Sequence, residues 1–388
     1  MTQWPMMPLG EICSFVGGGT PSRTKPEYFG GNIPWATVKD FKSFRLTDTQ
    51  EHITDKAVAD SATNIVEPGT VLLVSRVGLG KVAIADTRLA INQDIKGLSP
   101  DDTISPDFLF WFLLSQASRI ESMGAGATVK GVTLSDIKRI PIPVPPLPEQ
   151  RRIVDLLSRA EGIVRLRREA EKKAAELIPT LFLDLFGEPA TNPKGWPVRK
   201  VSDFVARFEG GKNIQAGSEN GSPYRILKVS AATSGIYRES ESKPSPDGYS
   251  PPTSHVVRVG DMLFSRANTE ELVGATAIVE KTDGKTLLPD KLWRFVWNEP
   301  VESAYMHALF QSGHVRRELG KLSSGTSASM RNISQGKLYG LSLPIAPYPS
   351  QKNFAERSAM IRSIQSQQSA ATAKAQATFD ALLARSFS

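Results

Sequence analysis

This 388-residue chain is short of the residues that do chemistry. It has one cysteine, Cys13, and four histidines, His52, His255, His307 and His314. One cysteine excludes an intramolecular disulfide and any multi-cysteine zinc site, and the histidines lack metal-ligand spacing. No run approaches the roughly 18 apolar residues of a membrane span. The first residues lack the basic-then-apolar pattern of a secretory signal. The expectation is a soluble cytoplasmic protein with no membrane, metal or cofactor site of its own.

Catalytic motifs are missing too. Gly78-Leu79-Gly80-Lys81 looks like part of a phosphate loop, but Ser75 stands where the first glycine belongs and Val82 where a magnesium-holding Ser or Thr belongs. Asn192-Pro193-Lys194-Gly195 lacks the second proline and the aromatic that would stack on a flipped base. Pro289-Asp290 and Glu280-Lys281 lie in the wrong order for a nuclease motif and lack the Glu-x-Lys spacing. No Gly-x-Ser-x-Gly elbow raises a serine nucleophile. The chain reads as a binder rather than an enzyme.

What is present is said twice. Gly124 to Phe186 can be laid on Gly325 to Phe387 at a constant offset of 201 residues: Gly124 on Gly325, Pro143 on Pro344, Gln150 on Gln351, Phe186 on Phe387. Trp4-Pro5 and Gly18-Gly19 return at an offset of 192 as Trp196-Pro197 and Gly210-Gly211. Such a unit is far too long for a solenoid repeat, and it predicts a duplicated domain-plus-helix. With 40% hydrophobic residues each half can bury a core, and a net charge of +7 fits an anionic partner.

The pattern predicts an α+β fold. Val71–Val74, Val82–Ala85 and Met262–Phe264 read as short strands between turns, and Pro106–Ser122 and Val301–Lys321 as short helices. The proline ladder from Ile140 to Pro148, with its counterpart Leu343 to Pro349, is extended chain and a hard boundary. A long helix follows each ladder. Stepping three then four from Ile153 gives a seam of Ile153, Leu156, Ala160, Ile163, Arg167, Ala170, Ala174, Leu177 and Leu181, matched by Phe354, Arg357, Ile361, Ile364, Gln368, Ala371, Ala375, Thr378 and Leu382. The two seams are expected to pair as an antiparallel coiled coil in a pseudo-two-fold arrangement. Arg167 and Gln368 share one step, either as a polar layer that fixes register or as side chains snorkelling to solvent. Pro179 is expected to end or kink the first helix near Ile178, with Phe182 to Phe186 a separate turn. The expected boundaries are 1–145 and 188–346 for two globular domains, and 146–187 and 347–388 for two helical spacers.

Basic residues cluster at expected strand ends in both halves. The candidates for DNA contact are Arg23, Lys25, Arg76, Lys81 and Lys130 in the first, and Lys212, Arg266, Asn268, Arg331 and Asn332 in the second. Arg and Lys neutralise phosphates or reach guanine edges, and Asn suits adenine. Lys130 and Arg331 match at the 201 offset, and Arg76 and Arg266 are expected in equivalent places. Tyr28, Trp35, Tyr224 and Tyr237 are the aromatics placed to pack on sugars.

Taken in order, several stretches resemble the specificity subunits of Type I restriction-modification systems. They are Gly18-Gly19-Thr20-Pro21-Ser22, Ile33-Pro34-Trp35, Asn92-Gln93-Asp94-Ile95-Lys96, Pro141-Ile142-Pro143 running into Pro148-Glu149-Gln150, Phe186-Gly187-Glu188-Pro189, Leu288 to Arg294, and Gly325 to Ser334. The resemblance implies two target-recognition domains joined by two helical spacers, reading a bipartite asymmetric target on double-stranded DNA. It also implies an assembly in which two methyltransferase (M) subunits bring S-adenosylmethionine and restriction/translocase (R) subunits bring ATP and magnesium. The rival readings are a stand-alone nuclease or methyltransferase, which the missing motifs oppose, and a non-catalytic coiled-coil adaptor that binds only protein, which the duplicated basic loops oppose.

Overall fold

The structure is a computed structural model that describes residues 4–125, 130–219, 221–327 and 330–387. Contacts divide it into two compact units, Met1–Glu169 with Ala370–Ser388, and Ala170–Ser369. Each unit thus takes part of both long helices.

The first unit is built on β1 (Cys13–Gly17), β2 (Val71–Val74), β3 (Val82–Ala85) and β4 (Ile95–Pro100), in spatial order β1-β4-β2-β3 with Arg45–Leu46 as a short edge. The apolar runs of β2 and β3 are buried along their full length, as strands covered on both faces should be. A four-stranded sheet led by Phe29–Ala36 lies in the same unit. Helix α1 (Pro106–Ser115) starts at a Ser105 N-cap and buries Phe108, Leu109, Phe110, Trp111, Phe112 and Leu113. The proline ladder is strand where it matters. Pro141–Pro143 pairs with Met6–Pro8, Met7 opposite Ile142, in a two-stranded ribbon that tolerates residues without an N–H.

Helix α2 (Leu147–Ala175) is followed by α3 (Leu177–Phe186). The break falls at Glu176, a little before the expected Ile178, because Pro179 denies an N–H to the Ala175 carbonyl and its ring crowds it. Pro179 then sits in the first turn of α3, where an N–H would have had no helical partner. Phe182 and Phe186 belong to α3 rather than to a separate turn.

The second unit repeats the plan. Its sheet contains β5 (Val205–Gly210), β6 (Met262–Ser265), β7 (Thr276–Ile278) and β8 (Leu292–Trp297) in order β5-β8-β6-β7, the order of the first unit. Helix α4 (Ser303–Gln311) takes the place of α1. Each expected short helix is in fact two, the followers being Ala117–Ser122 and Gly313–Leu322. Val198–Lys200 pairs with Ser342–Pro344, and α5 (Tyr348–Ser386) closes the chain.

The half-buried and buried residues of the long helices correct the phase of the seam. On α2 and α3 they follow Ile153, Leu157, Ala160, Val164, Glu171, Ala174, Ile178 and Leu181; on α5 they follow Phe354, Ser358, Ile361, Gln365, Gln368, Thr372, Ala375, Phe379 and Leu382. Every second expected position is therefore one residue early. Leu156 and Ile163 are exposed by 41% and 52%, while Leu157 and Val164 are buried. Arg167 is exposed and Gln368 half-buried. In the second unit Gln365 Nε2 donates to the Ala174 carbonyl at 2.6 Å while Phe354 meets Phe182 and Phe186, so the helices run antiparallel. In the first unit Arg168 Nη2 donates to Gln376 Oε1 at 2.8 Å. There Phe379 and Phe387 pack on the rings of α1.

One buried glutamine anchors each helix start. Gln150 accepts from the Ser105 N–H at 2.9 Å and donates to the Thr103 and Pro145 carbonyls. Gln351 accepts from the Glu302 N–H and donates to the Ala346 carbonyl. Both are almost fully buried. Changing Gln150 to Leu strands a buried amide and two carbonyls, so a loss of about 3 kcal/mol is expected in urea unfolding. A loss below about 0.5 kcal/mol would mean the amide is not an anchor.

Candidate nucleic-acid interface

The basic candidates gather at one end of each sheet, where strands hand over to short loops. In the first unit the Val132 N–H donates to the Ser75 carbonyl and Arg76 bridges to Gly131, which brings Lys130 beside Arg76. The Arg76 guanidinium lies 3.7 Å from Asp94 and stays half exposed, and Lys81 and Lys130 are exposed. Lys96, on β4, joins this group. Burial and the neighbouring Arg76 hold its pKa below the usual lysine value despite Asp94. The β4–β2 register sets it opposite Leu73, near the strand end that leads to Arg76, a placement the linear sequence does not display.

Arg23 and Lys25 lie on the loop after β1. Gly18 and Gly19 let that loop pass against Ile91–Asn92 and Ala62, where a Cβ would come within 2.2 and 2.3 Å of backbone atoms. Thr20 bonds Gln93, next to the Asp94 that meets Arg76. Arg23 pairs with Glu51 at 2.7 Å and lies over Phe29 and Trp35, and Lys25 bonds the Tyr28 hydroxyl at 2.9 Å. Tyr28 and Trp35 are themselves only 2% exposed, so they are core and cannot stack on sugars. Tyr224 and Tyr237 are half-buried.

In the second unit Ala267 lies opposite Asn332 and Asn268 opposite Arg331, so three of the candidates share one small sheet. Arg266 is held by the Asp290 carbonyl at 2.7 Å and carboxylate at 3.6 Å and lies over Trp293. Lys212 is exposed and follows Gly211, whose N–H donates to the Pro289 carbonyl, next to the Asp290 that holds Arg266. Arg331 bonds Ser323 through two nitrogens, and Asn268 bonds Ser265. Of the stretches read from sequence, Thr128, Val129, Ala328 and Ser329 lie outside the described residues.

The ladders set the equivalences. Gly131 takes the place of Asn332, so Lys130 and Arg331 are equivalent, as the 201 offset predicts. Arg76 and Arg266 are not. The Ile333 N–H donates to the Arg266 carbonyl as Val132 does to Ser75, so Arg266 stands one residue earlier, at the place of Ser75. Both guanidinia still reach the aspartate of the neighbouring turn.

Among the described residues nothing in these basic clusters pairs a nucleophile with a base, and no cluster of metal-ligating side chains occurs. No helix of the described residues is long and apolar enough to cross a membrane. Residues 1–176 match the Type I restriction modification DNA specificity domain. The chain is thus similar to Type I specificity subunits, with the family match confined to a little under half of its length. It is 31% identical over 232 residues to the MjaIX specificity subunit of Methanocaldococcus jannaschii, covering 54% of this chain and 53% of the relative. It is 31% identical over 176 residues to the EcoR124I/EcoR124II specificity subunit of Escherichia coli, covering 44% of each. The chain thus aligns over about half the length of these relatives. The MjaVIII specificity subunit of M. jannaschii is 24% identical over 91% of this chain and 85% of its own. The fold matches the S subunit of a Type I system from M. genitalium, with a TM-score of 0.57, 12% identity and 100% and 96% of the two chains covered. A chain described in work on assembly and conformational transition of the type I R-M system matches at a TM-score of 0.64 and 16% identity, covering 99% and 97%.

Proposed function

We propose that the chain is the non-catalytic DNA-recognition subunit of a Type I restriction-modification complex. Each unit reads one half of a bipartite, asymmetric target on double-stranded DNA, and the chain docks methyltransferase subunits and restriction/translocase subunits that carry the chemistry. The proposed readers are residues 1–145 and 188–346, with 146–187 and 347–388 as spacers. The observation that carries the reading is the repeated basic cluster on the same end of two sheets of one topology, with Lys130 and Arg331 in equivalent ladder positions. A protein-only adaptor has no use for that repetition. The halves differ in detail, as readers of different sequences must: one offers Arg76, Lys96 and Lys130, the other Arg266, Asn268, Arg331 and Asn332.

Fluorescence titration of the assembled complex on target duplex tests this at several salt concentrations. Arg76→Ala and Lys130→Ala should each lower the salt slope by about one charge if they bind phosphate, or cost about 1–3 kcal/mol if they read a base. Arg266→Ala and Arg331→Ala should do the same and also lower the Tm, because those side chains are tied into the fold. Unchanged affinity and slope in all four would make these residues ordinary solvated charges.

A further inference from the structure

The second unit contains an open cavity of about 720 Å³, lined among others by Ile178, Phe182, Ile236, His307, Ala308 and Gln311. The first unit shows what such a place holds when it is full. Gln150 meets the Ser105 amide and Gln351 the Glu302 amide, which aligns α1 with α4. The alignment is checked by a repeated ring contact, Phe108 on Phe387 at 5.3 Å and Tyr305 on Phe186 at 4.8 Å. In this frame Trp111 becomes Ala308, Phe110 becomes His307, and Phe379 becomes Ile178. Trp111 packs on Phe379 at 5.8 Å, Phe44 at 5.7 Å and Phe110 at 4.9 Å. The second unit has traded an indole for a methyl group and kept the room.

The walls are mostly apolar, with Glu171, Glu188, Arg362, Gln365 and Gln368 also on the lining, and one polar group is held in place. Gln311 Nε2 donates to the Thr276 carbonyl and to Thr276 Oγ1, at 3.1 and 3.2 Å, so the Thr276 hydroxyl is free to give its own proton to His307 Nδ1 at 2.8 Å. His307 then carries its proton on Nε2, the donor the ring can offer a ligand. Burial, helped by Arg362, lowers its pKa to about 4, so the imidazole is neutral near neutral pH. Volume, largely apolar walls and a few placed polar groups are the attributes of a small-molecule site.

We propose that this cavity binds a small planar aromatic molecule bearing a hydrogen-bond acceptor, its ring lying where Trp111 lies in the first unit and its acceptor meeting His307 Nε2–H. Nothing in the DNA-recognition reading requires such a site, and its test needs no DNA.

The probe is quinoline, a fused bicycle with an acceptor nitrogen, titrated into the full-length chain by saturation-transfer NMR, with indole, which lacks the acceptor, as comparison. One saturable site per chain is expected, with quinoline the tighter ligand. Ala308→Trp restores the packing of the first unit and should weaken quinoline at least tenfold. Ile236→Glu, at the exposed rim, should weaken it similarly and is the variant to read if Ala308→Trp does not fold. His307→Phe should abolish the preference for quinoline over indole. Absence of saturation up to the solubility limit, or equal affinity in wild type and Ile236→Glu, overturns the proposal.

Discussion

Inserting one heptad after Glu169 and another after Ser369 is expected to widen the gap in the DNA target by about three base pairs, with the bases of each half unchanged. Seven residues lengthen a helix by about 10 Å and keep the apolar face in phase, and about 3.4 Å separates successive base pairs along one strand. The insertion points fall where the contacts divide the units and where the seam is polar: Glu171 on one helix, Gln365, Gln368 and Thr372 on the other. No apolar layer of either unit is interrupted. The far half-site also turns by about 100° around the duplex, so tight binding to the original spacing should be lost in any case. Inserting three residues instead moves the buried positions off the seam and should disrupt the helix pair itself. Altered half-site bases at the original gap would mean that the helices do not set the spacing.

Phe354→Ala should lower the stability of the second unit by about 3–5 kcal/mol. Phe354 is fully buried, and it touches Phe182 and Phe186 of α3, which in turn meet Tyr305 of α4. This cluster of rings joins both helices to the sheet domain of that unit. Its loss leaves a cavity that the three remaining rings cannot close, so calorimetry should show a transition falling by roughly 10 °C. The first unit uses Phe108, Phe112 and Phe387 in the same way and does not contain Phe354, so a second transition should hold its position. A single transition shifted by less than about 2 °C would show that the cluster contributes little.

Local sequence patterns carry the parts of the fold that depend on neighbours along the chain. The apolar runs of Val71–Val74 and Val82–Ala85, the proline ladders and the start of each long helix are written in periodicity and backbone restriction, and they stand in the structure. The seam was legible only to within one residue at alternate steps. Leu156 and Leu157, Ile163 and Val164, and Leu177 and Ile178 are adjacent apolar pairs, so composition alone cannot decide which member faces inward. Phe379 decides it, through a contact with Trp111 more than 260 residues away. The equivalence of Lys130 and Arg331 was legible because one offset spans them. Arg76 and Arg266 look equivalent in sequence but are not, because the Ser-Arg pair repeats one residue out of step with the ladder. Tyr28 and Trp35 are core, yet aromatics near basic residues look alike in sequence whether they are core or contact. The cavity beside Ala308 was hidden because Trp111 and Ala308 correspond at one offset, Phe379 and Ile178 at another.

The central claim is that two readers on one chain jointly specify one split target. Genome-wide methylation mapping of a host carrying the proposed methyltransferase partner, with and without this chain, tests it most directly. The account predicts one asymmetric motif of two short blocks at a fixed gap, methylated only when the chain is present and lost in Lys130→Ala/Arg331→Ala. An identical methylation pattern with and without the chain would contradict it.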